Sequence, residues 1–132
     1  MTKVEEITNN IPLIIDKIEA IAKSNNTTSE VLLNEVVRFL DLIHLSNSKL
    51  SPSYLVDLAW HEFILFTKYY NTFCNKHYGR FIHHTPGKST SPEIFKKTVN
   101  LYIKEYGLPT HNLWGKLTKN EWQESECGSC LN

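Results

Sequence analysis

The segment Tyr54–Phe66 sets the tightest limit on how this chain can fold. Leu55, Val56, Leu58, Ala59, Trp60, Phe63, Ile64 and Leu65 place apolar side chains almost all the way round a helix. Such a helix has no face to give to water, so it belongs at the centre of a packed structure. Ser51-Pro52 stands just before it, a capping hydroxyl followed by a proline whose φ already suits the first turn.

The flanking segments read as helices that cover this centre. Ile11–Lys23 repeats Leu13, Ile14, Ile18, Ile21 and Ala22 at helical spacing, with Asn10 as cap and Pro12 in the first turn. A second helix begins near Thr28 or Ser29 and carries a wide apolar stripe, Val31, Leu32, Val36, Phe39, Leu40 and Ile43. Thr67 is placed to cap a further helix, Lys68–His77, whose Tyr69, Tyr70, Phe73 and Cys74 face the core. Gly79, Pro86 and Gly87 make Tyr78–Thr90 a loop, and Ser91-Pro92-Glu93 opens another helix that Gly107 and Pro109 end. No segment alternates as a strand. The expectation is an all-α, compact bundle of about five helices with an irregular C-terminal tail. Residues 1–124 form one helical domain in this reading, and 125–132 a flexible Cys/Gly tail.

Composition narrows the functional classes. Fourteen basic residues balance fourteen acidic ones, which argues against nucleic acid, because phosphate neutralisation supplies most of that affinity. No apolar run reaches the roughly 20 residues a membrane helix needs. The acidic start Met1–Glu6 is not a secretory signal, and Cys74, Cys127 and Cys130 are too few for a disulfide scaffold. The expected compartment is the cytoplasm, with a protein or small molecule as partner.

Chemistry concentrates between Asp57 and Pro86. Asp57 and His61 stand four apart and share a helix face. A carboxylate there can fix the tautomer of an imidazole and leave its other nitrogen for a metal or substrate. Ile64, Lys68 and Asn71 join that face at about 100° per residue, while Cys74 falls off it. His83-His84 in the loop supplies further imidazoles. Asp57, His61, His83 and His84 together offer the donor types that zinc or iron takes. Leu65 stands where a His-Glu-x-x-His helix would carry its second histidine, which excludes that metalloprotease motif. Cys74 is a secondary candidate, as is Cys127-Gly128-Ser129-Cys130, which has the spacing of half a zinc site or a redox pair. His77 and His44 read as helix C-terminal caps.

Each of these features also has a plainer reading. An Asp–His pair at helical spacing is often a structural hydrogen bond, and histidines in a Gly/Pro loop are often exposed. Three functions therefore stay open. The first is a zinc or iron site on His61 with His83 or His84, Asp57 acting as ligand or orienter. The second is a non-catalytic interaction module in which the Asp–His and His–His elements are structural. The third is metal-free catalysis, with Cys74 as nucleophile and His61 or His84 as base.

The stretch Val56-Asp57-Leu58-Ala59-Trp60-His61-Glu62-Phe63, with Tyr70-x-x-Phe73-Cys74 and Gly79-Arg80-Phe81-Ile82-His83-His84-x-Pro86, resembles the module of glycine-rich domain-containing proteins, in its small bacterial branch. Leu101-Tyr102, Tyr106-Gly107-x-Pro109 and Trp114 extend the likeness, and Cys127–Cys130 looks like a short version of the cysteine-rich tails of that branch. Phe63 stands where that pattern often has a second histidine. The resemblance implies motif positions at Asp57, Trp60, His61, Cys74, Gly79, His83, His84 and Pro86, and no activity.

Overall fold

A computed structural model describes residues 1–84 and 92–115, and every regular element among them is an α-helix. In chain order these are α1 (Lys3–Asn10), α2 (Leu13–Ser24), α3 (Ser29–Ser46), α4 (Tyr54–Ile64), α5 (Thr67–Tyr78), α6 (Pro92–Tyr106) and α7 (His111–Trp114). The all-α expectation holds, with seven helices among the described residues where about five were expected. The predicted tail from 125, with Cys127 and Cys130, lies outside the described residues.

The two extra helices are the shortest, eight and four residues, with too few apolar side chains to read as a stripe. α1 is held by its ends instead: Thr2 Oγ1 accepts from the Glu5 amide at 3.0 Å, and Glu5 Oε1 accepts from the Thr2 amide at 2.8 Å. This reciprocal capping box satisfies two amide groups that a helix start otherwise leaves open. α7 is a single turn that buries Leu113 and Trp114.

Several predicted caps move by a residue or two. Asn10 ends α1 and donates to the Glu6 carbonyl, so Pro12 opens α2 with no side-chain cap. Ser53, not Ser51, caps α4: its hydroxyl accepts from the Val56 amide at 3.2 Å and donates to the Leu113 carbonyl at 2.8 Å. The Ser51 amide instead donates to Thr98 Oγ1. The predicted helix to Phe66 stops at Ile64, and Phe66 precedes α5 without a side-chain cap.

One hydrophobic cluster draws on all seven helices. α3 contacts α1, α2, α4 and α6, and α4 contacts α2, α3, α5 and α7. α3 buries ten residues and α4 five, and each leaves apolar side chains exposed near its ends, Val31 of the expected stripe and Leu45 on α3 and Tyr54 on α4. Phe39, Phe63, Tyr70 and Phe73 are fully covered, each contributing about 1.5–3 kcal/mol of apolar burial. Phe63 meets Tyr70 edge-on at 5.0 Å and Phe73 at 5.5 Å between ring centres, which locks α4 to α5.

A buried carboxylate ties the C-terminal elements down. Glu35 is 4% exposed, and its Oε1 accepts from Tyr102 Oη at 2.7 Å and Trp114 Nε1 at 2.9 Å. Arg38 donates to the same Tyr102 oxygen at 2.8 Å and lies over the Tyr106 ring. Burial and the Glu35 carboxylate together push the Tyr102 hydroxyl well above the ordinary tyrosine range. No helix among the described residues is long and apolar enough to cross a membrane.

Candidate functional site

α4 presents Asp57, Trp60 and His61 on neighbouring turns, and what meets them is the segment after α5. Gly79 caps α5 at φ +76°, the left-handed region where glycine carries no side-chain penalty. The chain reverses there and sends Phe81–His84 back toward α4. Tyr70 secures that return: its hydroxyl donates to the Ile82 carbonyl at 2.6 Å and accepts from Trp60 Nε1 at 3.0 Å. Burial pushes this hydroxyl far above the ordinary tyrosine range, so it stays a donor. Ile82 is buried, and Phe81 packs edge-on against Tyr70 at 5.3 Å.

The imidazole that reaches α4 is His84. Its Nε2 lies 2.7 Å from Asp57 Oδ1, and its ring meets the Trp60 ring at 4.6 Å in an edge arrangement. Sequence reasoning paired Asp57 with His61, because the two are one turn apart. The structure gives Asp57 to His84 instead, since the returning backbone brings that ring over the carboxylate while His61 points to solvent. His61 is exposed, and its ring centre is 5.9 Å from that of His84. His83 is exposed too and rests on Phe81 at 4.6 Å. Neighbouring loop residues point in different directions, so only one of this histidine pair joins α4.

Of the four expected metal donors, the structure therefore joins Asp57 to His84, leaves His61 exposed with its ring centre 5.9 Å from that of His84, and sets His83 apart. Among the described residues, no three His, Cys, Asp or Glu side chains gather as a group able to hold a metal ion. Asp57 sits on the Nε2 side of His84, away from the nitrogen that would remain for an ion. Cys74 is buried within the aromatic layer, and loss of solvation pushes its thiol above the usual range despite contacts with Ile82 and Tyr70. A raised thiol is a poor nucleophile, which weighs against the Cys74 reading. Cys127, Cys130 and Pro86 lie outside the described residues.

His77 and His44 lie in the last turns of their helices, as expected, and also make contacts beyond them. His77 pairs with Glu6 of α1 at 3.1 Å, beside a Lys76–Glu6 ion pair, and does not cap its own helix. His44 sits in the last turns of α3 with its ring 5.4 Å from that of Tyr78. Sequence reasoning missed Tyr70 and Trp60 as the pair that seats the loop. It also missed Glu35, although a carboxylate set between Leu32 and Phe39 on an apolar stripe is a visible signal.

The family model UCP032817-like matches residues 9–117, from the end of α1 to just past α7. The chain belongs to the UCP032817-like family. That family is uncharacterised, and no glycine-rich domain family is found, so the resemblance drawn from the short motifs is corrected. No curated protein and no solved structure matches the chain.

Proposed function

We propose that this member of the UCP032817-like family is a non-catalytic helical interaction module. The observation that carries this reading is the commitment of four carboxylates to partners on other elements. Glu35 is taken by Tyr102 and Trp114, Asp41 by Tyr78 and Lys3, Glu6 by His77 and Lys76, and Asp57 by His84. Each of these contacts joins one helix or loop to another, as a structural polar network does.

A cleft of ≈ 550 Å³ opens beside the start of α4, lined among others by Tyr54, Leu58, Phe95, His111 and Trp114. Its size suits a short peptide segment or small ligand, and Tyr54 on its wall is 63% exposed. Tyrosine is among the residues enriched at protein interfaces and at their energetic centres. The test is a photo-crosslinking amino acid at position 54 of the full chain in its native cell. One protein captured in stoichiometric amount, and lost with Leu58→Glu but not with His61→Ala, supports the reading. No specific capture, or turnover of a substrate that depends on His61, overturns it.

A further inference from the structure

The cleft beside the start of α4 is lined by one kind of chemistry. Leu55, Phe95, Leu113 and Trp114 line it and are buried, so they form its floor, with Tyr54 and Leu58 on the wall. In a chain with 21% charged residues, no Asp, Glu, Lys or Arg is among the described residues that line it. The serine hydroxyls of the lining, and its carboxamides apart from that of Asn26, hydrogen-bond within the chain. Asn112 Nδ2 donates to the Asn25 carbonyl at 2.8 Å and to the Asn26 carbonyl at 3.3 Å, which ties α7 to the turn between α2 and α3. That turn holds Asn26 at φ +58°, a left-handed conformation that asparagine adopts more readily than most residues. Two polar groups of the rim are left over. The Asn26 carboxamide and the His111 imidazole make no hydrogen bond or ion pair among the described residues, and both residues are exposed.

We propose that this cleft takes an uncharged peptide segment of a partner protein, with apolar side chains on the Phe95 and Trp114 floor and backbone amides on Asn26 and His111. A charged side chain entering this lining loses water and meets no opposite charge among the described residues, which is unfavourable. An uncharged segment with an apolar or aromatic side chain avoids that penalty and gains contact with the floor. The Asn26 carboxamide both donates and accepts, so it pairs with either end of a peptide unit. Main-chain hydrogen bonds then supply affinity, and the apolar floor selects the side chain. This inference rests on the cleft of the proposed function and adds the chemistry of its occupant.

The experiment selects a displayed random-peptide library on the full chain and measures the enriched peptide, synthesised with a fluorescent label, by anisotropy. The expected consensus is apolar or aromatic and carries no Asp, Glu, Lys or Arg at its shared positions. Replacing its central apolar residue with Glu or Lys weakens binding about 10-fold or more. On the protein, Asn26→Gly keeps the left-handed turn but removes the carboxamide, and weakens binding severalfold. Leu58→Glu abolishes binding and His61→Ala leaves it unchanged. Melting curves show that each variant is folded, and Asn26→Gly carries the test if Leu58→Glu is not. No enriched peptide, a charged consensus, or binding indifferent to Asn26→Gly overturns the inference. A charged consensus beside intact capture at position 54 sinks this inference alone, whereas failed capture beside an uncharged consensus sinks the module alone.

Discussion

Two carboxylates do comparable work in very different surroundings. Glu35 lies inside the bundle and receives hydrogen bonds from two aromatic side chains of α6 and α7. Asp57 lies at the rim, its side chain 40% exposed, and holds a single imidazole. The difference is one of solvent. Water can replace the partner of Asp57 at little cost, whereas nothing replaces Glu35 for Tyr102 and Trp114. Burial makes the Glu35 contacts costly to break, and exposure makes the Asp57 contact cheap to break.

The largest expected effect lies at Glu35. Glu35→Ala strands two buried donors and should cost about 3 kcal/mol or more, read as a drop in melting temperature on the order of 10 °C. Glu35→Gln keeps an acceptor and should lose distinctly less, which separates hydrogen bonding from charge. At the rim, His84→Ala should cost about 1–2 kcal/mol through the lost Trp60 contact and the Asp57 bond. Equal losses at the two sites, measured by urea denaturation, would show that exposure is not what distinguishes them.

Between these positions sits Cys74, and its prediction concerns rate. Peptide mapping after iodoacetamide treatment should find Cys74 unmodified in the folded chain and modified once urea opens it. Rapid labelling of the native protein would mean that the aromatic layer is far looser than its packing indicates. The smallest effect is expected at Glu6. Burial raises its carboxyl, but hydrogen bonds from Lys76 and His77 outweigh this and hold it below its ordinary value of 4.5. Because the folded-state pKa is lowered, this stabilisation is present above that value and is lost as the pH falls through the folded one. Glu6→Gln should remove about 0.5 kcal/mol near neutral pH and flatten the acid limb of a stability–pH curve. An unchanged acid limb would mean that the contact between α1 and α5 contributes nothing.

Most of the fold was legible from apolar periodicity. α2, α3, α5 and α6 carry stripes long enough to read, and their starts were placed within one or two residues. α1 and α7 were not read, because a capping box and a single buried turn leave little periodic trace. The site was legible in part. Asp57, His61, His83 and His84 were read as one set, and the bond was assigned along the helix to His61 when it runs across to His84 in the loop. Helical spacing reports only which residues share a face, and it says nothing of what a returning segment will place over that face.

What the amino-acid order determined by itself is local: the helical period, the proline and glycine punctuation, and a central apolar segment that must be covered. Those follow from backbone geometry and short-range side-chain chemistry. Only the tertiary structure decided that Asp57 faces His84, that Glu35 receives Tyr102 and Trp114, and that His83 stands aside. The physical reason is that each partner lies 27 to 79 residues away in sequence or on the opposite side of a turn. Such contacts are set by the packing of whole helices, with the Tyr70–Ile82 hydrogen bond and the Gly79 reversal fixing which imidazole arrives.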